Sequence, residues 1–189
     1  GWNGPGKGRI YRFSDPKHTP ASSKNSAVAL MKGGFAKLST TDLVKHLEHA
    51  DRRIRQEAQF ELAGRKSEQE LQDVLANGKH QLARIHALWG LAQILRKTKS
   101  LTLPPLSKLV TDSDSEIRSQ AMKFIGESLP YFSKSKLHAV LVKHLLNGLK
   151  DKNPRVRFFS ANGLSQSGQS ESFEPLAIFL VENAGKDPN

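Results

Sequence analysis

The sequence predicts an all-α fold: a right-handed solenoid of stacked helical hairpins with a short non-helical extension in front. Three observations lead to it. A nine-residue pattern recurs four times, a second amphipathic stretch precedes each copy, and turn and cap residues fall between the two.

The recurring pattern occupies residues 54–62, 83–91, 117–125 and 156–164. In each copy an apolar residue precedes an arginine: Arg55, Arg84, Arg118 or Arg157. Three places later comes a small residue (Ala58, Ala87, Ala121, Ser160), and four after that Leu62, Leu91, Ile125 or Leu164. Residues at i and i+4 share one helix face. The small one lets a neighbouring helix approach, and the large one fills the space beside it. The arginine falls off that stripe, near the first turn. Successive arginines are 29, 34 and 39 residues apart, a period that is irregular but typical of stacked hairpins.

Each copy has a partner helix before it. Leu43, Val44 and Leu47, then Leu71, Val74 and Leu75, Leu106, Leu109 and Val110, and Leu141, Val142, Leu145 and Leu146 supply apolar residues at helical spacing. Ser67 with Glu70 reads as a capping box, and Asn153-Pro154 as a cap followed by proline at the first helical position. Asp51 and Asp114 stand before second helices, Asn77-Gly78 breaks the second pair, and Gly64 and Gly168 suit helix ends. A fifth first helix is expected over residues 175–181. So apolar a helix calls for a mate, and the stack reads as interrupted, not capped.

Residues 1–40 differ. A turn-rich lead-in gives way to Arg9-Ile10-Tyr11-Arg12-Phe13, which alternates as a strand does, and residues 14–25 read as a linker. The expected division is an extension and linker over 1–40, an array over 41–184 and a tail over 185–189. The chain begins at Gly1, not Met, and reads as a piece of something longer.

The net charge of +11 points towards acidic partners, nucleic acid or an anionic surface. Its distribution tempers this. Residues 1–40 hold seven Lys/Arg and one Asp, so +6 of the excess lies there and only +5 on the array. With no cysteine, disulfides, thiolate metal sites and covalent C-x-x-C-H haem attachment are excluded within this stretch. No apolar run reaches the length of a spanning helix, so membrane insertion is not expected.

The Asp-x-x-Ile-Arg-x-x-Ala runs at residues 51–58 and 114–121 resemble HEAT repeats, which implies a helical scaffold. Gly4-Pro5-Gly6-Lys7-Gly8-Arg9-Ile10-Tyr11-Arg12 looks like the closing strand of a sugar-dehydrogenase-like propeller. The order is similar to bacterial putative membrane-bound dehydrogenase proteins, in which propeller, HEAT array and c-type haem domain follow one another. That resemblance implies propeller and haem domains as partners in the parent chain and a periplasmic or secreted location. Any redox activity would then belong to flanking sequence.

Chemical motifs are weak. Gly1-x-x-x-x-Gly6-Lys7 lacks the Ser/Thr and the helix of a phosphate loop, and Gly163-Leu164-Ser165-Gln166-Ser167 lacks the second glycine of a nucleophile elbow. His46 and His49 have no third ligand at a recognisable spacing, so they read as surface histidines. His86 and Trp89 read as packing or concave-face residues, with His86 bonding a loop carbonyl between repeats. Phe158, Phe159 and Trp89 read mainly as core.

The arginine column Arg55, Arg84, Arg118 and Arg157 has two readings: a basic ladder for a phosphate backbone, or forks bonding carbonyls and acids of adjoining turns, with Asp51 and Asp114 close in sequence. Recurrence within a repeat favours the second. The expected function is a non-catalytic scaffold or protein-interaction module, with no cofactor, metal or catalytic residue. The alternative is a basic nucleic-acid-binding module.

Overall fold

The computed structural model describes residues 21–99, 103–168 and 170–184. Within them the chain is helical throughout, with no strand among the described residues. In order come α1 (Ala21–Gly33), α2 (Thr40–His46), α3 (Arg52–Gly64), α4 (Glu68–Asn77), α5 (Gln81–Thr98), α6 (Leu106–Leu109), α7 (Ser115–Ser128), α8 (Leu137–Gly148), α9 (Pro154–Ser165) and α10 (Phe173–Asn183). Short 3-10 turns at Leu129–Phe132 and Ser170–Ser172 precede α8 and α10.

The hairpins α2/α3, α4/α5, α6/α7 and α8/α9 stack so that α3, α5, α7 and α9 form one continuous row. Its inward stripe is the one the pattern selects: Ala58, Ala87, Ala121 and Ser160 are fully buried, and so are Leu62, Leu91, Ile125 and Leu164. Leu43, Leu47, Leu71, Leu75, Leu141 and Leu145 from the first helices close over it. The core is therefore a ribbon running the length of the stack, as expected when each layer buries its face only against its neighbours.

Loop chemistry sets the layers. Asp51, Asp114 and Asn153 are extended residues whose side chains accept from the N–H groups of Arg53, Glu116 and Arg155, capping α3, α7 and α9. His80 caps α5 through the Ala83 N–H, a role that residue type does not advertise. The capping box at Ser67 is absent: its side chain makes no cap bond. The left-handed backbone at Lys66, next to it, turns the chain between α3 and α4, so the αL position is Lys66, not Gly64.

Two further expectations need correction. The segment from Ala21 to Gly33 is helix, although its small polar residues resemble a linker; Ala27 is buried in the core cluster and Phe35 follows it there. The non-helical part of the extension therefore does not reach residue 40. Phe158 is not core but 60% exposed. Val156 and Ser160 take the inward positions of α9, and a residue two places from each points the other way. Phe159 is only partly buried against the core. The strand read at residues 9–13 and the turn-rich motif before it lie outside the described residues. The α10 helix forms as expected, with Phe173, Ile178, Leu180 and Val181 exposed.

Candidate interaction surface and the arginine column

Each arginine of the column sits at the fourth residue of its helix and folds back over the loop before it. Nη1 of Arg118 donates to the carbonyls of Asp112 (2.8 Å) and Ser113 (3.2 Å). The Nη1 of Arg55 reaches the His49 and Ala50 carbonyls at 2.6 and 2.8 Å, and that of Arg157 reaches Asp151 and Lys152 at 3.1 and 3.2 Å. These are residues i−6 and i−5 every time. Arg84 differs: its Nε donates to the Leu75 carbonyl at 2.9 Å, because the loop before α5 has another shape.

The other edge of the fork reaches one layer on. Arg84 Nη2 meets Asp112 Oδ2 at 2.6 Å. Arg118 holds Asp151 with Nε to Oδ2 at 2.8 Å and Nη2 to Oδ1 at 3.0 Å. The acids are therefore Asp112 and Asp151, each six residues before the next arginine, not Asp51 and Asp114, which are spent on capping. An acid at that offset in the third and fourth repeats was the available signal. Asp112 and Asp151 also accept the N–H groups of Asp114 and Asn153, so one carboxylate ties loop, cap and neighbouring layer together. The Arg118 hydrogen bond holds Asp151 below the usual carboxylate range. For Asp112, burial pushes upward, but the bonds from Arg84 and the Asp114 N–H outweigh it and the net shift is down.

Polar contacts also cross the second-helix row. The buried His86 ring pairs through Nδ1 with Gln59 Oε1 at 2.7 Å, so its partner is a side chain of α3 and not a loop carbonyl. Burial, with Arg55 and Arg52 adding repulsion, pushes the imidazole down to about 4. Trp89 stacks edge-on against His86 with centroids 5.1 Å apart and donates Nε1–H to Gln120 Oε1 at 2.9 Å. Gln120 donates to Glu116 at 2.8 Å, and Glu116 meets Arg155 at 3.1 Å. A single chain of contacts thus joins α5, α7 and α9.

Beside it lies a groove of about 320 Å³ between α5 and α7, lined by Trp89, Gln93, Arg96, Gln120, Lys123 and Glu127 among others. Trp89 keeps 37% of its surface exposed there. The Arg96–Glu127 pair spans the rim at 2.9 Å. Amides, an indole and charges of both signs (Arg96 and Lys123 against Glu127) can recognise a peptide-like surface; no nucleophile–base pair is set up in it.

His46 and His49 face one another with ring centroids 6.2 Å apart, and His49 Nδ1 accepts the Asp51 N–H. Among the described residues no group of three or more metal-ligating side chains converges. No helix among them is long and apolar enough to cross a membrane.

Comparison with known proteins agrees with this architecture. No curated protein matches the chain. The HEAT repeat family model matches residues 141–169, the hairpin of α8 and α9 whose loop supplies Asp151. Residues 141–169 are a HEAT repeat in a helical solenoid.

Proposed function

We propose that the array is a non-catalytic scaffold that docks a protein partner across its second-helix row, at the groove between α5 and α7. The observation that carries this is Trp89: an indole anchored by a hydrogen bond to Gln120 yet left more than a third exposed beside a groove. Rigid, half-exposed aromatics concentrate binding energy in protein interfaces. Placing a photo-crosslinking amino acid at Gln93 should capture a partner in cells, while the same group at Glu70 on the first-helix side should not. Equal capture at both positions would refute the groove as the docking face.

The nucleic-acid reading loses its main support in the same geometry. All four column arginines bond loop carbonyls, and Arg84 and Arg118 also grip carboxylates, so the column is not a free phosphate ladder. What basic excess remains is concentrated in residues 1–40. DNA binding at low salt that persists after removal of residues 1–20 and neutralisation of Lys24, Lys32 and Lys37 would restore that reading.

The finer reading places the array between a propeller-like domain and a haem domain in a longer chain, with periplasmic or secreted location. Its support is the resemblance of residues 4–12 and of the repeats after them. The sequence encoded on either side tests it directly: a C-x-x-C-H motif downstream supports it, and unrelated flanks remove it.

A further inference from the structure

Three Asn-Gly pairs lie among the described residues: Asn77-Gly78, Asn147-Gly148 and Asn162-Gly163. In such a pair the glycine nitrogen, with no side chain on its own residue to hinder it, can attack the asparagine Cγ. A helix prevents this, because its ψ and its hydrogen-bond ladder keep that nitrogen turned away from the side chain. The same dipeptide is therefore inert or reactive according to its place in the fold.

Asn162 and Gly163 both lie inside α9, Gly163 is packed on Gly126, and Asn162 Oδ1 accepts Gln166 Nε2 at 3.0 Å. Gly148 is the last residue of α8 and is buried against Ser160 and Met122. The turn after it is held by the Asp151 N–H on the Gly148 carbonyl at 3.1 Å, and Asp151 is itself gripped by Arg118. Asn77 differs. It is exposed at the end of α4, and Gly78 has already left the helix with ψ at 138°. The Gly78 N–H is held by the Val74 carbonyl at 2.9 Å, a last-turn bond of the kind that frays. Both residues line a groove of about 470 Å³ between α2 and α4, so water reaches them.

We propose that Asn77 is a site of spontaneous deamidation whose product loosens the joint between the second and third hairpins. Hydroxide removes the Gly78 N–H proton, the nitrogen bonds to Asn77 Cγ, and the side-chain nitrogen takes a proton from water and leaves as ammonia. Water then opens the succinimide at either carbonyl, giving aspartate or isoaspartate. The new carboxylate joins Glu70 and Asp73 in the groove, with Lys79 the cation nearest in sequence. It also stands at the C-terminal end of α4, where the helix dipole disfavours negative charge. Isoaspartate adds a methylene to the main chain just where Gly78 lies so close to the Val74 carbonyl that even a Cβ would collide with it. The strain falls on the turn whose Leu75 carbonyl Arg84 holds, and Arg84 passes it to Asp112 in the loop before α7.

Ageing the full chain in mildly basic buffer, followed by tryptic peptide mapping, tests the site. Asn77, in peptide 67–79, should convert from amide to acid about tenfold or more faster than Asn147 in 144–150 and Asn162 in 158–186. In the urea-unfolded chain the three should convert at similar rates. Equal rates in the folded chain, or Asn77 trailing the other two, overturn the site. The urea midpoint should fall in step with the converted fraction, and Asn77→Gln should hold its midpoint through the same ageing. Conversion that leaves the wild-type midpoint unmoved, or an equal fall in Asn77→Gln, overturns the loosening of the joint.

Discussion

Arg118 on α7 and Asp151 in the loop before α9 form a two-point ion pair, 2.8 and 3.0 Å, with both side chains largely buried. The same Asp151 accepts the Asn153 N–H, so the pair links the third and fourth hairpins and supports the helix start between them.

Removing one partner should therefore cost more than a surface ion pair does. Arg118→Met leaves a carboxylate with little solvent and also frees two loop carbonyls; about 3 kcal/mol of stability should be lost in urea unfolding. Asp151→Asn keeps a neutral acceptor for the Asn153 N–H and should lose about 2 kcal/mol. The exposed Arg53–Asp51 pair is the control: Arg53→Met should leave the urea midpoint close to that of the wild type.

His86 makes stability depend on mildly acidic pH. Its folded value of about 4 lies below the ordinary 6.5, so between these limits the unfolded chain binds more protons. The contribution is complete above pH 6.5 and is lost as the pH falls towards 4, on the order of 3 kcal/mol over the window. Urea midpoints measured across this range should fall with acid in the wild type, and the slope should flatten in His86→Gln. Histidine ring titration by NMR gives the midpoint independently. Below this window Asp112 and Asp151, both held down, add a second loss as they protonate.

Gly126 and Gly163 let α7 and α9 touch backbone to backbone. A Cβ on Gly126 would stand 2.7 Å from the Gly163 Cα, which cannot rotate away. Gly126→Ala should push the helices apart and cost about 1–3 kcal/mol. By contrast, a Cβ on Gly64 at the end of α3 meets nothing within 4 Å, and Gly64→Ala should stabilise by about 0.5 kcal/mol. Thermal melts of the two variants should move in opposite directions.

Caps distinguish a loop bond that exists from one that only the residue types suggest. Asp114 accepts the Glu116 N–H at 2.8 Å and also Gln81 Nε2 of the preceding hairpin at 2.6 Å. Asp114→Ala should cost about 1–2 kcal/mol, whereas Ser67→Ala, with no cap bond to lose, should lie within about 0.5 kcal/mol of wild type.

The amino-acid order alone determined the helical hairpins, their register and the inward stripe of Ala58, Ala87, Ala121 and Ser160, because periodicity and caps are local properties of the chain. It also singled out the arginine column. Which atoms those arginines hold was settled only by packing: Asp112 and Asp151 are 28 and 33 residues from Arg84 and Arg118, a separation closed by the stacking of layers. The same holds for the Gln59–His86 and Trp89–Gln120 pairs and for the contact of Gly126 with Gly163, each joining different helices of the row. Helix faces are set by neighbours a few residues away; which side chain meets which across a stack depends on the spacing and turn of every loop between.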